Sequence, residues 1–321
     1  MYRLGRNTLR TGVIPDPPGT ILYQKNFEDG SIDSGGWGHQ DYLTLCGSDP
    51  CYNGGIRRGL ITIETTTPDQ GTKRGKFFLP TDPGASPPLS SSFRVQCECL
   101  HIRKPDTGTH SWYASAFMVP TGFTPQQDGG CNILQLNYTG IAPSLNIAIT
   151  NVYSGGTTGN PSVIAWIQSG QIISFSNPTD FSGLPRGAGF AARGVFTSIP
   201  GPWYLVERDT LVRDQWYEVL LHVYNSVDFD GIFEAWIRPK GGSWTQKFSY
   251  GPSDVGFCTL PYDDTHAIST GWERSSIRAN FPDTNDKFGA YNGIDTVNNN
   301  IIYHDSFARA TGRPAAETSF T

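Results

Sequence analysis

Three short stretches carry polar side chains two residues apart, the spacing that places them on one face of a β-strand. In Ser92-Phe-Arg-Val-Gln-Cys-Glu, the polar residues Arg94, Gln96 and Glu98 alternate with Phe93, Val95, Cys97 and Cys99. In Asn132-Ile-Leu-Gln-Leu-Asn-Tyr, Gln135 and Asn137 alternate with Leu134 and Leu136. In Asp286-Lys-Phe-Gly-Ala-Tyr-Asn, Lys287 and Tyr291 share a side, and Phe288 and Ala290 take the other. Gly289 stands between Lys287 and Tyr291, where a missing side chain leaves room for a ligand to come close. Side-chain amides hydrogen-bond sugar hydroxyls, a guanidinium pairs with a carboxylate, and a phenol can deliver a proton. The plain alternative for each stretch is a solvated sheet face.

These residues need strands to hold them, and the chain supplies many. Runs at 20–27, 59–66, 91–103, 112–119, 132–138, 145–152, 163–167, 216–224, 232–238, 287–291 and 301–308 read as short strands. The last turn before residue 232, Asn-Ser-Val-Asp-Phe-Asp-Gly, reads as a hairpin loop. Residues 174–202 are rich in Gly, Pro and Phe and read as a long loop or lid over a sheet face. Many short strands punctuated by turns predict an all-β, antiparallel sandwich or barrel. Residues 1–19 read as an extended N-terminal arm because Pro15, Pro17 and Pro18 forbid regular structure. The sandwich spans 20–310, and 311–321 reads as a linker-like C-terminal tail.

The 321 residues suffice for one large core. Gly (37) and Pro (23) are spread without a period beside 12% aromatic residues, which fits tight turns between strands and not disorder. The net charge is −5 and no basic run is present, so a nucleic-acid partner is not expected. No apolar run approaches ~20 residues, so no membrane span is expected. The N-terminus has positive charge but no apolar segment, and is not read as a signal peptide. No CxxC pairs occur among Cys46, Cys51, Cys97, Cys99, Cys131 and Cys258. They read as buried thiols, with a small Cys46–Cys51 disulfide loop as an alternative in an oxidising compartment. No cofactor is expected. Asp228 and Asp230 offer a structural Ca²⁺ site, though Asp-x-Asp-Gly is more often only a turn.

Four segments, in order, resemble the concanavalin-like jelly-roll polysaccharide lyases that act on alginate, glucuronan and heparin. Ser92-Phe-Arg-Val-Gln-Cys-Glu is similar to their early Arg/Glu strand, and Ile133-Leu-Gln-Leu-Asn to their Gln-x-His strand. The pair Asp214-Gln-Trp-Tyr-Glu-Val-Leu-Leu-His-Val and Asp230-Gly-Ile-Phe-Glu-Ala-Trp-Ile resembles the heparin-lyase hairpin. Lys287-Phe-Gly-Ala-Tyr resembles their Lys-x-Gly-x-Tyr strand. The resemblance covers residues 20 to 310 and implies a jelly roll. It also implies β-elimination on a uronic-acid polymer. Arg94 and Gln135 would neutralise the substrate carboxylate, Tyr291 would be the acid, and Lys287 would help bind the anionic chain. The family's His falls at Asn137, which cannot take a proton.

That departure favours binding over cleavage. Arg94, Gln96, Glu98, Gln135, Asn137, Lys287 and Tyr291 are the expected polysaccharide-binding residues. Trp37, Trp112, Tyr138, Trp203, Tyr204 and Trp272 are candidate stacking platforms, while Trp216 and Trp236 read as structural. His101, His110, His222, His266 and His304 lie off the motif position. The Arg excess (17 Arg to 7 Lys) suits a bacteriophage of a high-GC host. The expectation is a minor tail protein of the virion, made in the host cytoplasm. Its partners would be cell-surface polysaccharide and, through the N-terminal arm, other tail proteins or copies of itself. An active lyase and a purely structural virion protein are the alternatives.

Overall fold

A computed structural model of the chain describes residues 18–40, 52–53, 56–80, 94–103, 108–124, 131–138, 145–150, 161–167, 171–172, 190–191, 203–207, 210–224, 231–250, 284–292 and 299–321. The first strands are β1 (Ile21–Lys25), β2 (Trp37–Gln40), β3 (Tyr52–Asn53), β4 (Ile56–Arg58), β5 (Leu60–Glu64), β6 (Arg74–Leu79) and β7 (Arg94–Arg103). Next come β8 (His110–Met118), β9 (Cys131–Tyr138), β10 (Leu145–Thr150), β11 (Ser162–Ile167), β12 (Gln171–Ile172), β13 (Phe190–Ala191) and β14 (Trp203–Val206). The last are β15 (Trp216–Tyr224), β16 (Ile232–Pro239), β17 (Thr245–Tyr250), β18 (Thr284–Asn292) and β19 (Asn300–Ala310), followed by a short helix, α1 (Arg313–Glu317). No described helix is long and apolar enough to cross a membrane.

The strands form two large sheets stacked as a sandwich. One runs β17-β16-β15-β8-β19-β6-β5, with β1 also on β19. The other runs β14-β11-β10-β9-β18-β7-β4-β3, with β2 also on β7. Pairing is antiparallel throughout the described strands except for β4 on β7. β12 and β13 form a separate small pair.

The core lies between the inner faces of the two sheets. Val95, Cys97 and Cys99 of β7 meet Phe288 and Ala290 of β18 there, together with Phe77 of β6 and Phe307 of β19. Phe288 stacks on Phe307 at 5.1 Å, and Trp37 meets both rings edge-on. A polar tie crosses this apolar layer where His304 Nε2 donates to the Gly289 carbonyl at 2.9 Å. Burial pushes the pKa of His304 down to about 4, so it sits in the core as a neutral imidazole. The thiols of Cys97, Cys99 and Cys131 are free and buried. Cys46, Cys51 and Cys258 lie outside the described residues.

Strand β15 does not alternate cleanly because both of its faces are covered. Tyr217, Val219, Leu221 and Val223 enter the main core. Trp216 and Leu220 enter a second cluster with Trp112, Trp236, Ala308 and Phe320. That cluster is roofed by the C-terminus. The expected linker-like tail at 311–321 is instead a docked element: α1 and the 3-10 turn Thr318–Phe320 fold back over the outer face of the eight-stranded sheet. Ala316 and Phe320 supply apolar surface, and the Arg313 guanidinium lies 4.8 Å over the Trp236 ring. Composition read this segment as a tail because Gly312 and Pro314 dominate it; Pro314 in fact starts the helix. Of the N-terminal arm, residues 1–17 lie outside the described residues. Thr20 is tied to Thr311, with each backbone N–H held by the other residue.

Candidate functional site

Strands β7, β18, β9, β10 and β11 lie side by side in the nine-stranded sheet. On β7, β18, β9 and β10 core-facing residues alternate with residues turned away from the core, several of them polar, and Ser162 adds a hydroxyl on β11. Gln96 and Glu98 stand there on β7, Lys287 and Tyr291 on β18, and Gln135 on β9. Register fixes their neighbours. Lys287 faces Gln135 on one side and Leu100 on the other; Tyr291 faces Gln96 on one side and Asn132 on the other. Asn146 of β10 is opposite Gln135, and Thr150 is opposite Ser162 of β11.

The described side chains of this face are mostly buried. Gln96, Glu98, Gln135, Asn146, Thr150, Ser162 and Lys287 are all inaccessible or nearly so, whereas Asn132 and Tyr291 are half-buried. Gln96 Nε2 donates to Gln40 Oε1 at 2.8 Å and to Glu98 Oε2. The Lys287 ammonium stands 3.7 Å from Glu98 Oε2. A buried carboxylate and ammonium at that distance compensate one another. Lys287 was expected to hold an anionic chain; here its charge is already matched within the protein.

Gln135 lies opposite Lys287, and Tyr291 lies four residues farther along β18. At the rise of a strand that is about 13 Å between backbones. Arg94 and Asn137 belong to β7 and β9 by backbone; their side chains are outside the described residues.

Gly289 is not the ligand gap the sequence implied. Its φ is +141°, and a Cβ there would lie 2.6 Å from the Cys97 carbonyl oxygen and 2.8 Å from the Phe77 ring. The glycine serves close packing of β18 on β7 and on the other sheet.

The other expected features fall elsewhere. Trp37 and Trp112 are buried in the two hydrophobic clusters and offer no platform. Tyr204 is 37% exposed on the edge strand β14. The side chains of Tyr138 and Trp203, and Trp272, Asp228, Asp230 and His266, are outside the described residues. His101 stacks on Tyr23 at 3.9 Å. His222 lies flat on Trp112 at 4.3 Å, bonds Glu234 Oε2 at 2.7 Å and meets His110 at 2.9 Å, all on the other sheet. Of residues 174–202, only the strand pair partner β13 is described.

A scan of family models finds none that matches the chain, and no curated protein matches it. Solved structures do. An endo-β-1,4-glucuronan lyase from the fungus Trichoderma reesei aligns over 91% of this chain and 96% of its own, with TM-score 0.53 and 17% identity. The fold is a jelly-roll sandwich like that of this lyase. A GH131 β-glucanase catalytic domain from Podospora anserina aligns over 92% of this chain and 97% of its own, with TM-score 0.49 and 10% identity. The CBM2 module of the evolved Dit of Lactobacillus casei BL23 phage J-1 aligns over 93% and 98%, with TM-score 0.44 and 11% identity. Identities this low bear on the fold alone.

Sequence alternation located Gln96, Glu98, Gln135, Lys287 and Tyr291 on one face. It missed Gln40 of β2, and also Asn146, Thr150 and Ser162: Ala148 interrupts the polar residues of β10, and β11 is apolar at every residue after Ser162. It also missed Asn132, for a different reason. Leu134 and Leu136 face the core, so strict alternation assigns Asn132 to the core as well. A bulge at Ile133 breaks the count. Ile147 pairs with Leu134 and Ala148 with Asn132, so Ile133 is the extra residue. Ile133 and Leu134 both enter the core, and Asn132 turns out beside Tyr291.

Proposed function

We propose that the polar face of the nine-stranded sheet binds a polysaccharide and does not cleave it. The observation that carries this reading is a sheet face of amides and hydroxyls, with its one described ammonium matched by Glu98. Amides and hydroxyls both donate and accept, as sugar hydroxyls do. Asn137, standing where the resembling lyases carry His, supports binding over elimination, since an amide cannot take a proton. The finer reading is that the protein recognises host cell-surface glycan as a minor tail component of a bacteriophage virion; the excess of Arg over Lys (17 to 7) suits a phage of a high-GC host. Antibody labelling of intact virions tests that location.

The binding claim is tested by affinity electrophoresis through gels containing hydroxyethyl cellulose, dextran, galactomannan, alginate or polyglucuronate. At least one of the five should retard the protein. Gln135→Ala should weaken that retardation about tenfold, as expected for a lost hydrogen bond at a buried polar site. Retardation by none contradicts the reading. Release of unsaturated uronyl ends from alginate or polyglucuronate, seen as ultraviolet absorbance and lost in Tyr291→Phe, would establish the lyase instead.

A further inference from the structure

The bulge at Ile133 does more than break the alternation of β9. It turns one amide of β9 out of the core and onto the polar face, beside the half-buried Tyr291. On β9 the core takes Cys131, Ile133, Leu134 and Leu136. Asn132 is thereby turned to the polar side, opposite Tyr291 on one strand and Ala148 on the other. The partner strand is irregular at the same place: between Phe288 and Tyr291 it advances three residues while β9 advances two, at the positive-φ Gly289. Bulges next to functional sites commonly re-aim a side chain in this way.

The amide so delivered is incomplete. Asn132 Oδ1 is buried and, among the described residues, has no hydrogen-bond partner. A buried acceptor left unpaired is rare in folded proteins and is destabilising until a donor reaches it. Ala148 cannot supply one, since it has no polar side chain. Asn132 and Tyr291 are both half-buried, so this point lies nearer the accessible margin of the face than Gln96 or Gln135, although Oδ1 itself is covered.

We infer that Asn132 is a specificity-determining residue whose amide oxygen takes a hydrogen bond from a neutral hydroxyl of the bound glycan, beside Tyr291. This rests on the polysaccharide-binding reading. It adds the polarity of the contact. An ionised carboxylate presents acceptors only and cannot satisfy this oxygen, whereas a sugar hydroxyl donates. The sugar unit at this subsite is therefore one that turns a hydroxyl, not a carboxylate, toward β9.

Two substitutions separate the possibilities. Asn132→Asp keeps an acceptor and removes the amide donors; Asn132→Leu removes both at similar volume. Dissociation constants are measured by calorimetry with whichever of the five polysaccharides retards the wild type, and melting temperatures confirm folding. Asn132→Ser, which keeps a shorter acceptor, replaces the Leu variant if that one does not fold, and is then expected to weaken binding about threefold. Asn132→Leu should weaken binding at least tenfold, and Asn132→Asp should stay within about threefold of wild type. Equal, large losses in both variants overturn the inference, because the ligand would then be using the amide N–H. Wild-type affinity in Asn132→Leu also overturns it. If Gln135→Ala still weakens binding in that case, the binding reading stands alone; if the wild type binds none of the five, both fail.

Discussion

A Gly289→Ala variant is expected to lose ~3 kcal/mol or more of stability, or to fail to fold. Two costs add. An L-residue is strained at φ +141°. The new methyl group would also press on backbone, lying 2.6 Å from the Cys97 carbonyl oxygen and 2.8 Å from the Glu98 Cα. Backbone on a neighbouring strand cannot rotate away as a side chain can. The Gly289 carbonyl is also the acceptor for buried His304, so a shift of β18 leaves an imidazole N–H in the core without its partner. Urea denaturation followed by tryptophan fluorescence measures the loss. A variant with wild-type midpoint would mean that the two sheets do not approach as closely as described.

Asp305→Asn is expected to change stability in the opposite direction, and only at higher pH. Asp305 is fully buried on β19; its Oδ2 accepts the Gln70 N–H at 2.6 Å, and its Oδ1 has no hydrogen-bond partner. Burial, with the nearby Asp69 carboxylate adding to it, pushes its pKa up to about 7. Asp69 is itself raised by burial, against the opposing pull of the Lys240 ammonium 3.8 Å away. A carboxyl raised in the folded state binds a proton more tightly there than in the unfolded chain. Its contribution therefore favours the fold at acid pH and is lost as pH climbs from about 4 to about 7. A shift of roughly three units corresponds to at most ~4 kcal/mol of opposition to folding at pH 8. Asn keeps an acceptor for Gln70 and carries no charge. The variant should match wild type near pH 4 and exceed it by up to ~4 kcal/mol at pH 8. His304, whose depressed pKa gives an opposite slope below pH 6.5, is common to both proteins and drops out of the difference. Chemical denaturation across pH in chelator-containing buffer measures this, and an equal stability gap at pH 4 and pH 8 would contradict it.

The fold was legible where one sheet face is apolar and the other polar. Strands β7, β9 and β18 show that alternation, and the polar residues it located do share one face. It was less legible where both faces are covered. β10 is buried at every residue; Leu145, Ile147 and Ile149 do alternate with Asn146, Ala148 and Thr150, but Ala148 between the two polar residues weakens the mark. β6 escaped notice because Arg74 and Lys76 look like surface residues. In fact both pair with Glu64 on β5, and Arg74 lies buried with its guanidinium 3.6 Å over the Tyr303 ring. The docked C-terminus was illegible for a tertiary reason. A segment of five helical residues has no propensity to fold alone, and it forms because the tryptophan-lined outer face of the other sheet needs covering. Irregularities were the remaining blind spot. Gly289 reads as an empty place and is a contact; Asn132 reads as a core position and is turned out by one inserted residue. Both depend on cross-strand register, which local alternation does not contain.

The central claim is that the polar face of the nine-stranded sheet is where a polysaccharide sits. Hydrogen–deuterium exchange with and without the retarding polysaccharide tests it most directly. The expected result is slowed exchange confined to β7, β9 and β18, centred on residues 131–135 and 287–291. Protection on β15 and β16 of the opposite sheet, or none on β9 and β18 at saturating polysaccharide, would contradict it.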